Sequence, residues 1–403
     1  MFATITKAAG VLEFPDKHRP CFKSVHFTIL DLKPAILAKA VLIFELLEEH
    51  NAIGREEKPD VGQKYLVLVT LAYVYLCQVY PPSVDEKVQS VLARLINRLE
   101  DGTQAVLKWL YLPSPTRAAV LRVLRQWHGP AGSLHRSKET RNVIRQFGRS
   151  VGMPRFGGSD RDTEFFDQFV IIPPPKQSPI PIDSELQALL DSTTASLDSS
   201  ARKKVEDHLD RNWKTNVTLI DMDYEAQMNE EEPKPEEPHF VPILDFDPCE
   251  TIDQTFPTQL SSTGIIDRLS KSFHILSRCL EALVSRSCVA LEVVYGEMTD
   301  FMERLRYDSL EDRSMEEQVR KGAVPDPSTF PKQFDRIHLS NIPYVKLDDL
   351  PPPSPPYCIE VRADHCGKRL HWRSSGPCTL LHTIAEGRVS LRFQRTLQRP
   401  GQP

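Results

Sequence analysis

The apolar positions of this chain fall into two kinds of run. Some are short, β-branched blocks with almost no polar break. Others are longer blocks in which apolar residues recur every three or four positions. SVHFTILD, from Ser24 to Asp31, is of the first kind and predicts a buried strand that ends in an acid. CVALEVVYGE (Cys288 to Glu297) and FDRIHLSN (Phe334 to Asn341) predict two more buried strands.

The longer blocks predict helices. PAILAKAVLIFELLEE opens with Pro34, whose fixed φ suits a first helical turn. It is apolar on most faces, as expected of a helix packed between a sheet and other helices. Residues 61–128 read as helical throughout. Within them, VDEKVQSVLARLINRLEDG carries apolar residues at 84, 88, 91, 92, 95, 96 and 99, one stripe at helical period, and Gly102 suits its stop. PTRAAVLRVLRQW starts at Pro115. A polar helix is predicted over roughly 184–213, and a short one at MTDFMERLRYD. TGIIDRLSKSFHILSRCLEALVSR is a further helix, with Ser262 or Thr263 as its cap. Residues 1–12 also read as helical.

Apolar strands separated by helices point to a parallel sheet covered on both faces. The fold class is therefore α/β, an incomplete Rossmann-like parallel sheet with a large, mainly helical insertion. The expected organisation is a first part of the α/β core over 1–50 and a helical insertion over 51–228, with a proline-rich break near 173–182. An acidic, proline-rich linker at 229–258, a second part of the core at 259–345 and a poorly ordered or unrelated tail at 346–403 complete it. VSLRFQRTL in that tail reads as an edge strand.

Composition narrows the function classes. A net charge of -5 over 403 residues makes the whole chain no polyanion binder, so any basic site must be local. The basic stretch Arg117–Arg155 could meet phosphate. A solvated helix face is preferred, because no aromatic set is interleaved with its arginines. The eight cysteines contain no Cys-x-x-Cys pair, which with no signal peptide points to reduced thiols and a cytoplasmic protein. The longest apolar run, YLVLVTLAYVYLC, ends at Cys77 and falls short of the roughly 20 residues that span a bilayer, so no membrane partner is expected. No metal site is expected either: Cys358, His365, Cys366, His371, Cys378 and His382 match no zinc-finger spacing. His26 and His338 lie inside apolar strands and read as core histidines.

In an open parallel sheet, ligands sit beyond the carboxyl ends of the strands. This chain places Asp31, Glu297 and the pair Ser340-Asn341 at its predicted strand ends. An acid in the first position can bond ribose hydroxyls, and one in the second can accept from an adenine amine. Asn341, helped by Ser340, can accept from a target amine. Each also has a bland reading: a turn acid or helix cap for Asp31, a capping acid for Glu297, a polar turn for Ser340-Asn341.

The order of these ends resembles class I S-adenosylmethionine-dependent methyltransferases, and SNIPY is similar to their Asn-Pro-Pro-Tyr loop with Ile342 in place of the first proline. SVHFTILDLKPAILAKAVLIFELL, EVVYGEMTDFMERLRY and FPKQFDRIHLSNIP narrow the resemblance. They are similar to a domain of unknown function shared by fungal proteins, some with MYND-type zinc fingers, and by the N-termini of axonemal dynein preassembly factors. The resemblance implies a methyltransferase-like fold without established catalysis, a scaffold role, protein partners and no resident cofactor. S-adenosylmethionine is implied only if the fold still functions. It also implies a chain truncated at both ends, without the first strand and glycine-rich donor turn, and divergent after Tyr344. The expected function is thus a non-catalytic interaction or scaffold protein. An S-adenosylmethionine-dependent methyltransferase acting on an amino group is the alternative.

Overall fold

The computed structural model describes residues 24–102, 105–129, 136–151, 160–175, 178–191, 199–221, 264–310 and 325–331, and five further strands between 336 and 394. The predicted helix at 1–12 and the acidic linker lie outside them. The chain divides into two compact units, Met1–Met302 with Leu310–Ser328, and Glu303–Ser309 with Thr329–Pro403.

The first unit is mixed α/β and mostly helical. Strand β1 (Val25–Asp31) lies parallel to β5 (Val289–Tyr295), in register from Val25 opposite Val289 to Asp31 opposite Tyr295. On the other side of β5 lies β3 (Leu110–Tyr111), also parallel, so the sheet order is β1-β5-β3. The third strand of this sheet therefore comes from the middle of the helical block. Two residues are too few to show an alternating pattern, which is why the region reads as helical in sequence.

Helix α1 (Pro34–Gly54) begins with Pro34 in its first turn and buries residues on nearly every side, from Leu37 and Ala38 to Leu46 and Leu47. It is the hub of the core: α2 (Val61–Leu76), α3 (Pro82–Asp101), α4 (Ser114–Trp127), α9 (Ile265–Ser285) and the β1 and β5 strands all pack against it. Helix α3 buries the stripe Val84, Val88, Val91, Leu92, Leu95, Ile96 and Leu99, and ends at Gly102, whose φ of 64° is the left-handed conformation that glycine tolerates best. Its outer side is tied to α1 by ions: Arg94 and Arg98 bond Glu45, and Arg94 and Lys87 bond Glu49.

Caps arrive from distant parts of the chain. Asp60 caps α2 locally, accepting from the Gln63 amide at 3.0 Å. The other end of α2 is closed by Asn216, wholly buried, whose Nδ2 donates to the carbonyls of Cys77 (2.7 Å), Val74 (3.2 Å) and Tyr73 (3.3 Å). Asn216 follows β4 (Lys214–Thr215), which pairs antiparallel with β2 (Val79–Tyr80). Helix α9 has Gly264 at its N-cap, not Ser262 or Thr263, which lie outside the described residues. Its cap is Asp162 of α6 (Asp160–Phe169), which accepts from the Ile265 amide at 2.7 Å.

The basic helix α5 (Ser137–Val151) turns Arg141 and Arg145 to carboxylates. Arg141, buried, bonds the Phe169 carbonyl at 3.0 Å, Glu206 at 2.8 Å and Asp210, and Arg145 reaches Glu206 at 3.3 Å. Its carboxylate partners belong to α8 (Ser199–Asn212), so the polar segment after 183 forms at least two helices, α7 (Ser184–Asp191) and α8. Among the described residues no helix is long and apolar enough to cross a membrane.

FDRIHLSN forms β6 (Arg336–Ser340), but not in the parallel sheet. It pairs antiparallel with β10 (Arg388–Gln394), Ser340 opposite Arg388, in a five-stranded sheet of order β6-β10-β7-β9-β8. The other strands are β7 (Cys358–Ala363), β8 (Arg369–Arg373) and β9 (Thr379–Thr383). The sequence reading of a central parallel strand is corrected here. Arg336, His338 and Ser340 alternate with Ile337 and Leu339, a period that suits an antiparallel sheet. The tail strand β10 has neighbours on both sides, so it is not at an edge.

Candidate functional site at the carboxyl ends of the parallel strands

Parallel pairing in full register brings the ends of β1 and β5 side by side. The Gly296 amide donates to the Asp31 carbonyl at 3.2 Å, which carries the pairing one residue past the strand. Asp31 and Glu297 therefore flank the same edge of the sheet, as their positions in the sequence predict. Ser340 sits in the second unit, paired with β10, and Asn341 lies outside the described residues.

Asp31 is half-buried. Its Oδ1 accepts from the Lys33 amide at 2.8 Å, a turn that leads into the first residue of α1. Burial pushes its carboxyl above the usual aspartate value, opposed by the Lys33 amide and ammonium. Glu297 is exposed, and its carbonyl accepts from the Phe301 amide at 3.0 Å to start α10 (Met298–Arg306). Between the two acids, a Cβ placed on Gly296 would meet no atom within 4 Å. The edge thus offers carboxylate oxygens and room beside a bare backbone. Such an edge can accept hydrogen bonds from hydroxyl or amino groups.

The third strand contributes differently. After Tyr111 the chain passes Leu112 and Pro113 and enters α4, whose Thr116 hydroxyl accepts from the Tyr295 amide at 2.9 Å. The end of β5 is thereby held by side-chain bonding from α4.

One buried acid escaped the sequence reading. Glu292, in the middle of β5 and 1% exposed, accepts from the Thr28 hydroxyl at 3.1 Å, while His26 Nε2 stands 3.1 Å from the Thr28 hydroxyl and 3.5 Å from Glu292. Residues 26 and 28 share a face of β1, and Glu292 is opposite Thr28 in register. The signal was present: a glutamate inside an otherwise apolar run must find partners when buried. His26 matches the core histidine expected, with its ring nitrogen bonded within the sheet.

No protein-family model, curated protein or solved structure matches this chain.

Proposed function

We propose that this chain is a non-catalytic interaction or scaffold protein built on a degenerate methyltransferase-like fold, working in the cytoplasm through protein partners. The observation that carries this reading is what Asp31 does. Its Oδ1 is engaged by the Lys33 amide in the turn that launches α1. The acid that would meet a ribose thus has a structural task at a strand-to-helix junction. Glu297 likewise stands at the start of α10. The neighbouring strand, β3, runs through Pro113 into a helix. The resemblance of three sequence blocks to a domain without established catalysis points the same way.

A second reading rests on the carboxylates of Asp31 and the exposed Glu297 and the space over Gly296. It is an amino-group methyltransferase that would use S-adenosylmethionine, with Asp31 and Glu297 holding the donor. Calorimetry with S-adenosylmethionine and its demethylated product separates the two. The scaffold reading expects no heat of binding at micromolar protein and ligand. Micromolar binding that Asp31→Ala abolishes would overturn it in favour of the enzyme.

A further inference from the structure

Two histidines meet where α1 packs on α9, and their hydrogen bonds can be followed proton by proton. Asn51 Nδ2 donates to the Ser277 carbonyl at 3.0 Å, which turns Asn51 Oδ1 toward the Ser277 side chain. The Ser277 hydroxyl donates to that oxygen at 2.6 Å, with the Leu47 carbonyl at 3.2 Å as a second acceptor. Its single proton being committed, Ser277 Oγ can only accept from His50 Nδ1, 2.8 Å away. His50 therefore carries its proton on Nδ1, and Nε2 is left with a lone pair. That lone pair faces Nδ1 of His274 at 3.3 Å.

The angle of approach is informative. Ring centroids of His50 and His274 are 5.2 Å apart, with planes at 82°. Two ring nitrogens aimed straight at each other across 3.3 Å would put the centroids about 5.6 Å apart, since each nitrogen lies about 1.15 Å from its centroid. Two lone pairs converging on one cation at about 2.05 Å, the zinc–imidazole distance, would put them about 5.1 Å apart, with an angle at the metal of about 107° for nitrogens 3.3 Å apart. A tetrahedral ion accommodates that angle; in the metal-free pair the same contact is a bent N–H···N hydrogen bond.

We propose that His50 Nε2 and His274 Nδ1 form a two-histidine site for an imidazole-preferring divalent cation, of which zinc is the type. Binding shifts the His274 proton from Nδ1 to its outward Nε2, so both lone pairs face the metal and no net proton is lost from the neutral pair. Ser277 holds the far side of His50, the support that ligating histidines typically have. Lys64 and Arg278 stand near the pair, oppose a metal charge and keep the affinity modest. Glu281 offsets Arg278 at 3.3 Å.

His274 itself is exposed and lines a shallow groove of about 500 Å³ along α9, with Ile275, Arg278, Cys279 and Ala282. Among the described residues no third metal-binding side chain joins the pair. The remaining coordination positions are then left to water or to an outside donor, one more than in open zinc sites, which keep three protein ligands. This site does not depend on the scaffold reading.

Zinc titration of the full chain tests it, by calorimetry and by thermal melting, against His274→Ala and against Cys366→Ser with His371→Ala in the tail. His274→Ala changes an exposed position, so it leaves the fold in place, which circular dichroism checks. The expected result is loss of one zinc equivalent in His274→Ala alone, together with loss of part of the zinc-induced rise in Tm. The tail variants should keep that equivalent. A stoichiometry and affinity unchanged by His274→Ala, or no zinc bound by the parent protein, would overturn the proposal.

Discussion

Asn216 is the place to test how the helical core is held, because one amide closes the end of α2 and also holds the turn at Thr218. In Asn216→Ala the carbonyls of Val74 and Cys77 lose their donor, and the Thr218 amide, 3.1 Å from Asn216 Oδ1, loses its acceptor. The Tyr73 carbonyl keeps the Cys77 amide at 2.8 Å. Three buried backbone groups are therefore stranded. Each unsatisfied group costs about 1–3 kcal/mol, and a water entering the vacated side-chain volume recovers part of it, so the net loss expected is about 2–4 kcal/mol. For the first unit, Met1–Met302 with Leu310–Ser328, that lowers Tm by about 3–6 °C. Urea and thermal denaturation followed by circular dichroism measure it, with exposed Lys58→Ala as the control. Asn216→Asp sharpens the test. It keeps the volume but turns an acceptor toward helix-end carbonyls, so it should cost at least as much as alanine. Parent-like stability in Asn216→Asp, or a loss under about 0.5 kcal/mol in Asn216→Ala, would refute the capping argument.

Other outcomes follow from buried ionisable groups. Lys39 Nζ is buried with no hydrogen-bond partner among the described residues, and burial pushes its ammonium down to about 7, so Lys39→Met should stabilise the protein by about 1–3 kcal/mol at neutral pH. Because the folded value lies below the ordinary 10.5, the penalty is full below pH 7 and is relieved as pH rises toward 10.5; urea midpoints of the parent should climb over that range relative to Lys39→Met. His50 is lowered from 6.5 to about 4, so between those values the unfolded chain binds a proton that the folded one refuses, and stability falls as pH drops from 6.5 to 4. In His50→Asn that segment of the pH dependence should flatten; parallel curves for the two proteins would count against a neutral, buried His50.

Some of this architecture is written in local pattern and some is not. The stripe from Val84 to Leu99, Pro34 at the start of α1 and Gly102 after α3 are local signals, and the structure follows them. So are β1 and β5, each long and apolar enough to stand out. Strand β3 is not, since Leu110 and Tyr111 become a strand only through pairing with β5. The cap of α9 comes from Asp162, 103 residues upstream, which no window around Gly264 contains. Ile337 and Leu339 gave β6 its strand character, but the choice of partner between a parallel and an antiparallel neighbour depended on the alternation around them. At the site, Asp31 and Glu297 were placed on one edge by strand order alone. Glu292 needed the pairing with β1 to show what it is for.

The hydrogen bond from Thr28 to Glu292 closes a loop of 264 residues. During synthesis at about 5–20 residues per second, β1 leaves the ribosome roughly 13–50 seconds before β5 exists to pair with it. For that interval a seven-residue apolar strand, VHFTILD, presents both backbone edges to whatever is nearby. The helices α1 to α4 can gather around one another early, because their contacts are close in sequence, but the sheet cannot begin until the chain is nearly three-quarters made. A long exposure of β1 before its partner exists is thus built into the chain order, and the expected outcome is a yield that rises when chaperones that shield single strands are co-expressed.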